Sequence, residues 1–110
     1  MQQTEQIKWI SPNLIVHKNN NKSTYNGMYK EKDIEDAVNW IPFYKGMKDS
    51  GISDKEIFEI KPIAKAYDIF FKRMIKVEHR NDNYYLLGQE DKRIEIAILQ
   101  HIPSIPVLMY

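Results

Sequence analysis

From Pro62 to Arg80 the apolar residues Ile63, Tyr67, Phe70, Met74 and Val77 recur at intervals of four, three, four and three. That spacing draws one continuous apolar stripe along a helix, and a helix so marked must lie against another element. Upstream, Ser53-Asp54-Lys55-Glu56 has the spacing of a capping box, in which serine and glutamate satisfy each other's backbone amides. Pro62 suits a first helical turn, where no amide is needed. The spacing predicts a helical region over about 54–80, stopping before Asn81-Asp82-Asn83.

A second helical stretch precedes it, over about 31–49. Ile34, Val38 and Ile41 keep helical spacing behind the acidic start Glu31–Asp36, which complements a helix dipole. Pro42 lacks a backbone donor and is expected to end or kink this helix near Trp40, with a further short piece running to a cap at Gly51.

Both ends of the chain read as strands. Ile7 and Trp9 alternate with Lys8, Ser11-Pro12-Asn13 is a turn cluster, and Leu14-Ile15-Val16 resumes the apolar run. Asn26-Gly27 between Thr24-Tyr25 and Met28-Tyr29 is a hairpin signal, since both central residues of a type I′ turn need positive φ. Tyr84–Leu87, a turn at Gly88–Asp91, and Ile94, Ile96 and Ile98 at alternate positions predict a C-terminal hairpin. The prolines of His101–Tyr110 point to an extended segment rather than a helix or a central strand. Strands, then helices, then strands, without βαβ alternation, give an α+β fold. The expectation is an antiparallel sheet from N- and C-terminal hairpins with two or three helices on one face, as a single domain over 1–110.

Composition removes several function classes. The chain has 110 residues and no cysteine, which excludes disulfides, thiol nucleophiles and thiolate metal sites. A net charge of +1 argues against a nucleic-acid packager and against an acidic mimic of DNA. No apolar run reaches the roughly 20 residues that span a bilayer, and the polar start is unlike a signal peptide. A cytoplasmic protein without membrane contact is expected. Residue types with AT-rich codons number 53, against 16 with GC-rich codons, a bias shared with many phages, archaeal viruses and low-GC bacteria and compatible with a viral or mobile-element origin.

Candidate chemistry is sparse. His17, His79 and His101 sit on different expected elements without ligand spacing, and no metal or cofactor is expected. There is no GxSxG or glycine-rich phosphate loop, and the carboxylates Asp33, Glu35 and Asp36 are explained by a helix start. No catalytic residue is assigned. The hairpin expected at Tyr84–Leu99, followed by His101, resembles the C-terminal strands of RelE-type ribonuclease toxins. The N-terminal half does not follow that family's order of one strand and then helices, and membership is not assigned. A small hydrolase using His79 or His101 is the third reading.

On a helix over 62–80, Lys61, Lys65, Lys72 and Lys76 lie opposite the apolar stripe with only Asp68 among them, and Arg73 and Arg80 lie on the flank. That face could track phosphates, although lysine also serves simply to solvate a helix. Seven tyrosines and the apolar tail Ile102–Tyr110 provide the material for a protein contact. The tail is expected either to close its own core or to add to another chain, including a second copy. The leading expectation is therefore a non-enzymatic protein that occupies a partner's surface through Trp40, Tyr84, Leu108 and Tyr110. A nucleic-acid-binding module using the lysine face is the alternative.

Overall fold

A computed structural model describes residues 6–16, 29–88 and 91–110. Its elements run β1 (Gln6–Ile10), a single 3-10 turn (Pro12–Leu14), β2 (Ile15–Val16), α1 (Glu31–Asp49), α2 (Asp54–Ile57), α3 (Lys61–Phe71), β3 (Ile75–Arg80), β4 (Asn83–Leu86), α4 (Lys92–Leu99) and β5 (Ile105–Met109). The fold is α+β, with a five-stranded sheet and, among the described residues, four helices. The strand order is β1-β5-β3-β4-β2. The sheet is mixed rather than antiparallel: β1–β5 and β3–β4 are antiparallel, β3–β5 and β4–β2 parallel.

Four expectations are corrected. The long helix stops at Phe71, and Ile75–Arg80 is a strand. Met74 and Val77 continue the helical spacing, but Ile75 and Val77 also alternate with Lys76 and Glu78, and the β-branched pair follows the strand period. The predicted strand at Ile94–Ile98 is instead helix α4, opened by Asp91, whose carboxylate accepts the Arg93 amide at 2.9 Å. Arg93, Ile94, Ile96 and Ala97 are its buried residues, so three- and four-residue spacing overrides the alternating isoleucines. The N-terminal strands do not pair with each other and occupy opposite edges of the sheet. The hairpin expected at Asn26-Gly27 lies outside the described residues.

The observed hairpin is β3–β4. Asn81 and Asp82 connect it with φ of 53° and 66°, both positive as a type I′ turn requires. A β-branched side chain tolerates that backbone poorly. Replacing Asp82 with valine is expected to cost about 1–2 kcal/mol, read as a lower urea midpoint. An unchanged midpoint would show that the turn adjusts.

The fourth correction concerns the tail. β5 is an interior strand between β1 and β3, despite Pro106. Pro106 faces Trp9 in the antiparallel pairing, and the parallel register with β3 begins one residue later, at Val107 opposite Ile75. The missing amide thus falls where the ladder to β3 has not yet started. Ile105, Pro106 and Val107 are buried, so the tail closes its own core.

Side-chain alternation and register put Ile10, Ile15, Ile75, Val77, Leu86, Ile105 and Val107 on one face of the sheet. All seven are buried and join the core with Ile34, Val38 and Ile41 of α1, Ile63 and Phe70 of α3, and Ile94 of α4. Helix α1 runs unbroken through Pro42, which supplies no amide to the carbonyl one turn back.

Tyr44 of α1 anchors an aromatic cluster with Phe58, Tyr67 and Phe71, at ring separations of 6.0, 5.1 and 5.7 Å. Its hydroxyl donates to Asp54 at 3.2 Å. Burial first, and then the Asp54 carboxylate, hold that hydroxyl above the ordinary tyrosine range. A raised tyrosine pKa means that the unfolded chain releases its proton first. The associated stability is therefore complete below about pH 10 and declines as pH rises through the folded value. Urea melts at pH 9 and pH 11 should show a larger alkaline loss in the native protein than in Tyr44→Phe. Equal losses would contradict the assignment.

Candidate functional site

The opposite face of the same sheet is open. Register places Ile7, Leu108 and Lys76 side by side across β1, β5 and β3. Leu87 extends the row, because its amide donates to the Lys76 carbonyl at 2.9 Å. The next row holds Tyr110, whose amide donates to the Val77 carbonyl at 2.9 Å. Glu78, Tyr85 and Val16 complete it.

Six of these eight outward positions are aliphatic or aromatic. Ile7 is 52% exposed, Tyr110 45%, Val16 37% and Leu87 36%. An ordinary solvated sheet face alternates to polar side chains, and this one does not. Its polar members are Lys76 and Glu78, with Arg80 beyond them. Arg80 lies 3.7 Å from the Glu78 carboxylate and 5.0 Å from the Tyr85 ring centre. Packing occurs at one end, where Trp9 meets Tyr44 at 6.5 Å and Phe71 at 6.3 Å.

Beside that end lies an open groove of about 710 Å³. Ile7, Leu108, Lys76 and Tyr110 contribute from the sheet, and Phe71 to Met74, the exit from α3, form the rim. The rim is held from beneath. Arg93 of α4, only 4% exposed, donates from one guanidinium nitrogen to the carbonyls of Ile69 and Arg73, both at 2.7 Å. Its remaining nitrogens grip Asp91 at 2.9 and 2.7 Å. The bidentate ion pair thus caps the last turn of α3 and the first turn of α4 together.

The residues singled out in the sequence are distributed unevenly. Leu108 and Tyr110 share the open face. Tyr84 points to the core side, where it stacks on His79 at 4.7 Å and lies 3.4 Å from the Lys8 ammonium. Trp40 is half-buried on α1 against Phe43 at 5.3 Å, and lines a separate cavity of about 350 Å³ between α1 and α3.

The basic set is divided by the end of α3. Lys61 and Lys65 border the cavity near Trp40, where Lys65 pairs with Asp33 at 2.9 Å. Lys72 and Lys76 border the groove, and Arg80 lies further along β3. His79 is exposed on a strand rather than at a helix end, His101 follows α4 with φ of 57°, and His17 lies outside the described residues. Among the described residues, no group of three histidines and carboxylates could hold a metal ion. No helix among them is long and apolar enough to cross a membrane.

Ile7, Val16 and Leu87 were not singled out from the sequence, whereas Arg73 was placed beside the lysine face and Tyr85 among the aromatic residues. The available signal was the adjacent apolar pair Leu86-Leu87 and the run Val107-Leu108-Met109, which give a strand two apolar faces. No family model, curated protein or solved structure matches this chain. The surface is read on its own geometry.

Proposed function

We propose that this chain is a non-enzymatic binding protein that occupies a partner protein's surface with the open face of its sheet. The supporting observation is the eight-position face in which Ile7, Leu108 and Tyr110 on one side of β3, and Leu87, Tyr85 and Val16 on the other, project outward with Lys76 and Glu78 of β3 between them. Exposed apolar residues flanking a few charges are characteristic of interaction sites, and rigid strands present them with little ordering cost. Tyr85 and Tyr110 supply aromatic anchors, with Lys76, Glu78 and Arg80 among them to set orientation.

A second reading is favoured by the presence of Tyr85, Tyr110, Lys76 and Arg80 on one sheet face. Stacking rings beside cations suit single-stranded nucleic acid. The four aliphatic residues offer nothing to a phosphate backbone, and the protein partner is therefore preferred.

Capture from lysate of the native source, with and without nuclease, separates the two. The expected result is a stoichiometric protein that survives nuclease and moderate salt. Recovery of nucleic acid, lost steeply as salt rises, would overturn the proposal in favour of the second reading.

A further inference from the structure

We infer that the groove at the α3 exit takes an acidic, extended segment of the partner, seating an apolar side chain on Ile7 and Leu108 and a carboxylate between Arg73 and Lys76. The inference rests on the proposed protein-binding role and specifies its chemistry.

Charge complementarity carries it. Three cations, Lys72, Arg73 and Lys76, line the groove, and among the described residues no acidic side chain does. Outside the groove Lys45, Lys65 and Lys48 have close carboxylates, Asp49 at 2.7 Å, Asp33 at 2.9 Å and Asp54 at 3.0 Å, while Lys8, Lys30, Lys32, Lys55 and Lys61 have none within 4.0 Å among the described residues. In the groove, Lys72 approaches only Asp68, at 3.7 Å. Among the described residues, Arg73 and Lys76 have no acidic partner within 4.0 Å. Lys76 instead lies 5.9 Å from the Tyr110 ring centre.

The Arg73 backbone is already fixed, because its carbonyl accepts from Arg93. Its guanidinium therefore starts from a rigid anchor and can take a carboxylate in bidentate fashion. Ile7 and Leu108, paired across β1 and β5, form an aliphatic floor between these charges and the strand edge. Such a floor suits a leucine or phenylalanine side chain, while the rings a base could stack upon, Tyr110 and Phe71, line the groove beside it rather than on the floor. That favours peptide over nucleic acid as the occupant.

The test uses fluorescence anisotropy at low salt with three labelled probes: a peptide alternating glutamate and leucine, its glutamine analogue, and an oligothymidylate. The glutamate peptide is expected to bind, with the glutamine analogue and the Arg73→Glu/Lys76→Glu variant each weakening binding by about tenfold or more. Failure of the glutamate peptide to bind, or equal binding of the two peptides, overturns the assignment. So does tighter binding of the oligothymidylate with the same sensitivity to charge reversal.

Thermal melts verify that the variant is folded, and Arg73→Gln/Lys76→Gln replaces it if charge reversal lowers the midpoint. Lysate capture separates the two levels of the claim. If the Arg73/Lys76 variant keeps a partner that Leu108→Glu loses, the face is the interface and the acidic groove is not. If Leu108→Glu also keeps the partner, the protein-binding face itself is wrong.

Discussion

Replacing Arg93 with alanine is expected to cost about 3–5 kcal/mol, the range for removing one partner of a buried ion pair. The side chain is 5% exposed and spends four donor contacts on Asp91, Ile69 and Arg73. Without it, the Asp91 carboxylate, 15% exposed, loses its counter-charge, and two carbonyls at the end of α3 lose their donors. Against a total of roughly 5–15 kcal/mol for a domain of this kind, that loss should lower the thermal midpoint by on the order of 15 °C. Lysine should recover only part of it, because one ammonium cannot reproduce the planar fork. A midpoint within a few degrees of the native protein would show that Arg93 does not tie α3 to α4.

Removing residues 105–110 is expected to abolish cooperative folding altogether. β5 pairs with β1 on one side and β3 on the other, so its loss detaches β1 from the sheet. The core also loses Ile105 and Val107, both fully buried, each worth roughly 1.5–3 kcal/mol. A shortened chain that still melted cooperatively, with dispersed amide resonances, would mean that the tail is an accessory arm. Leu108 and Tyr110 present their side chains on the outer face of this structural strand, so contact with a partner does not require the strand to leave the sheet.

Helical and strand signals were legible where one period stood alone. The spacing of Ile34, Val38 and Ile41 located α1, and Ser53 caps α2 as its sequence implies, accepting the Glu56 amide at 3.3 Å. Sequence reasoning failed where two periods overlapped, at Met74–Val77 and Ile94–Ile98. The two segments meet through a contact spanning 20 and 24 residues in sequence, the Arg93 guanidinium on the Arg73 and Ile69 carbonyls. No local pattern announces such a contact.

Strand order was equally hidden. An interior strand containing Pro106 is tolerated because the pairing to β3 begins at Val107, a matter of register and not of composition. The candidate face depends on the same register. Leu108 and Tyr110 could be singled out as apolar and near one another in sequence. Their union with Ile7, Leu87 and Val16 needs four strand pairings. Tyr84 and Tyr85 were certain to diverge, but only the register shows that Tyr85 takes the open face.

The most direct measurement of the interface compares partner capture by Leu108→Glu and by Phe43→Asp. Phe43 is 57% exposed on α1, and Phe43→Asp inserts a charge into apolar surface on the helical side, whereas Leu108 is half-buried on the sheet. Both variants should melt close to the native protein. Binding through the sheet predicts that Leu108→Glu weakens capture by about 2 kcal/mol or more, the scale of a hot-spot residue, while Phe43→Asp leaves it unchanged. Loss of capture with Phe43→Asp and its retention with Leu108→Glu would contradict the account and move the interface to the helical side.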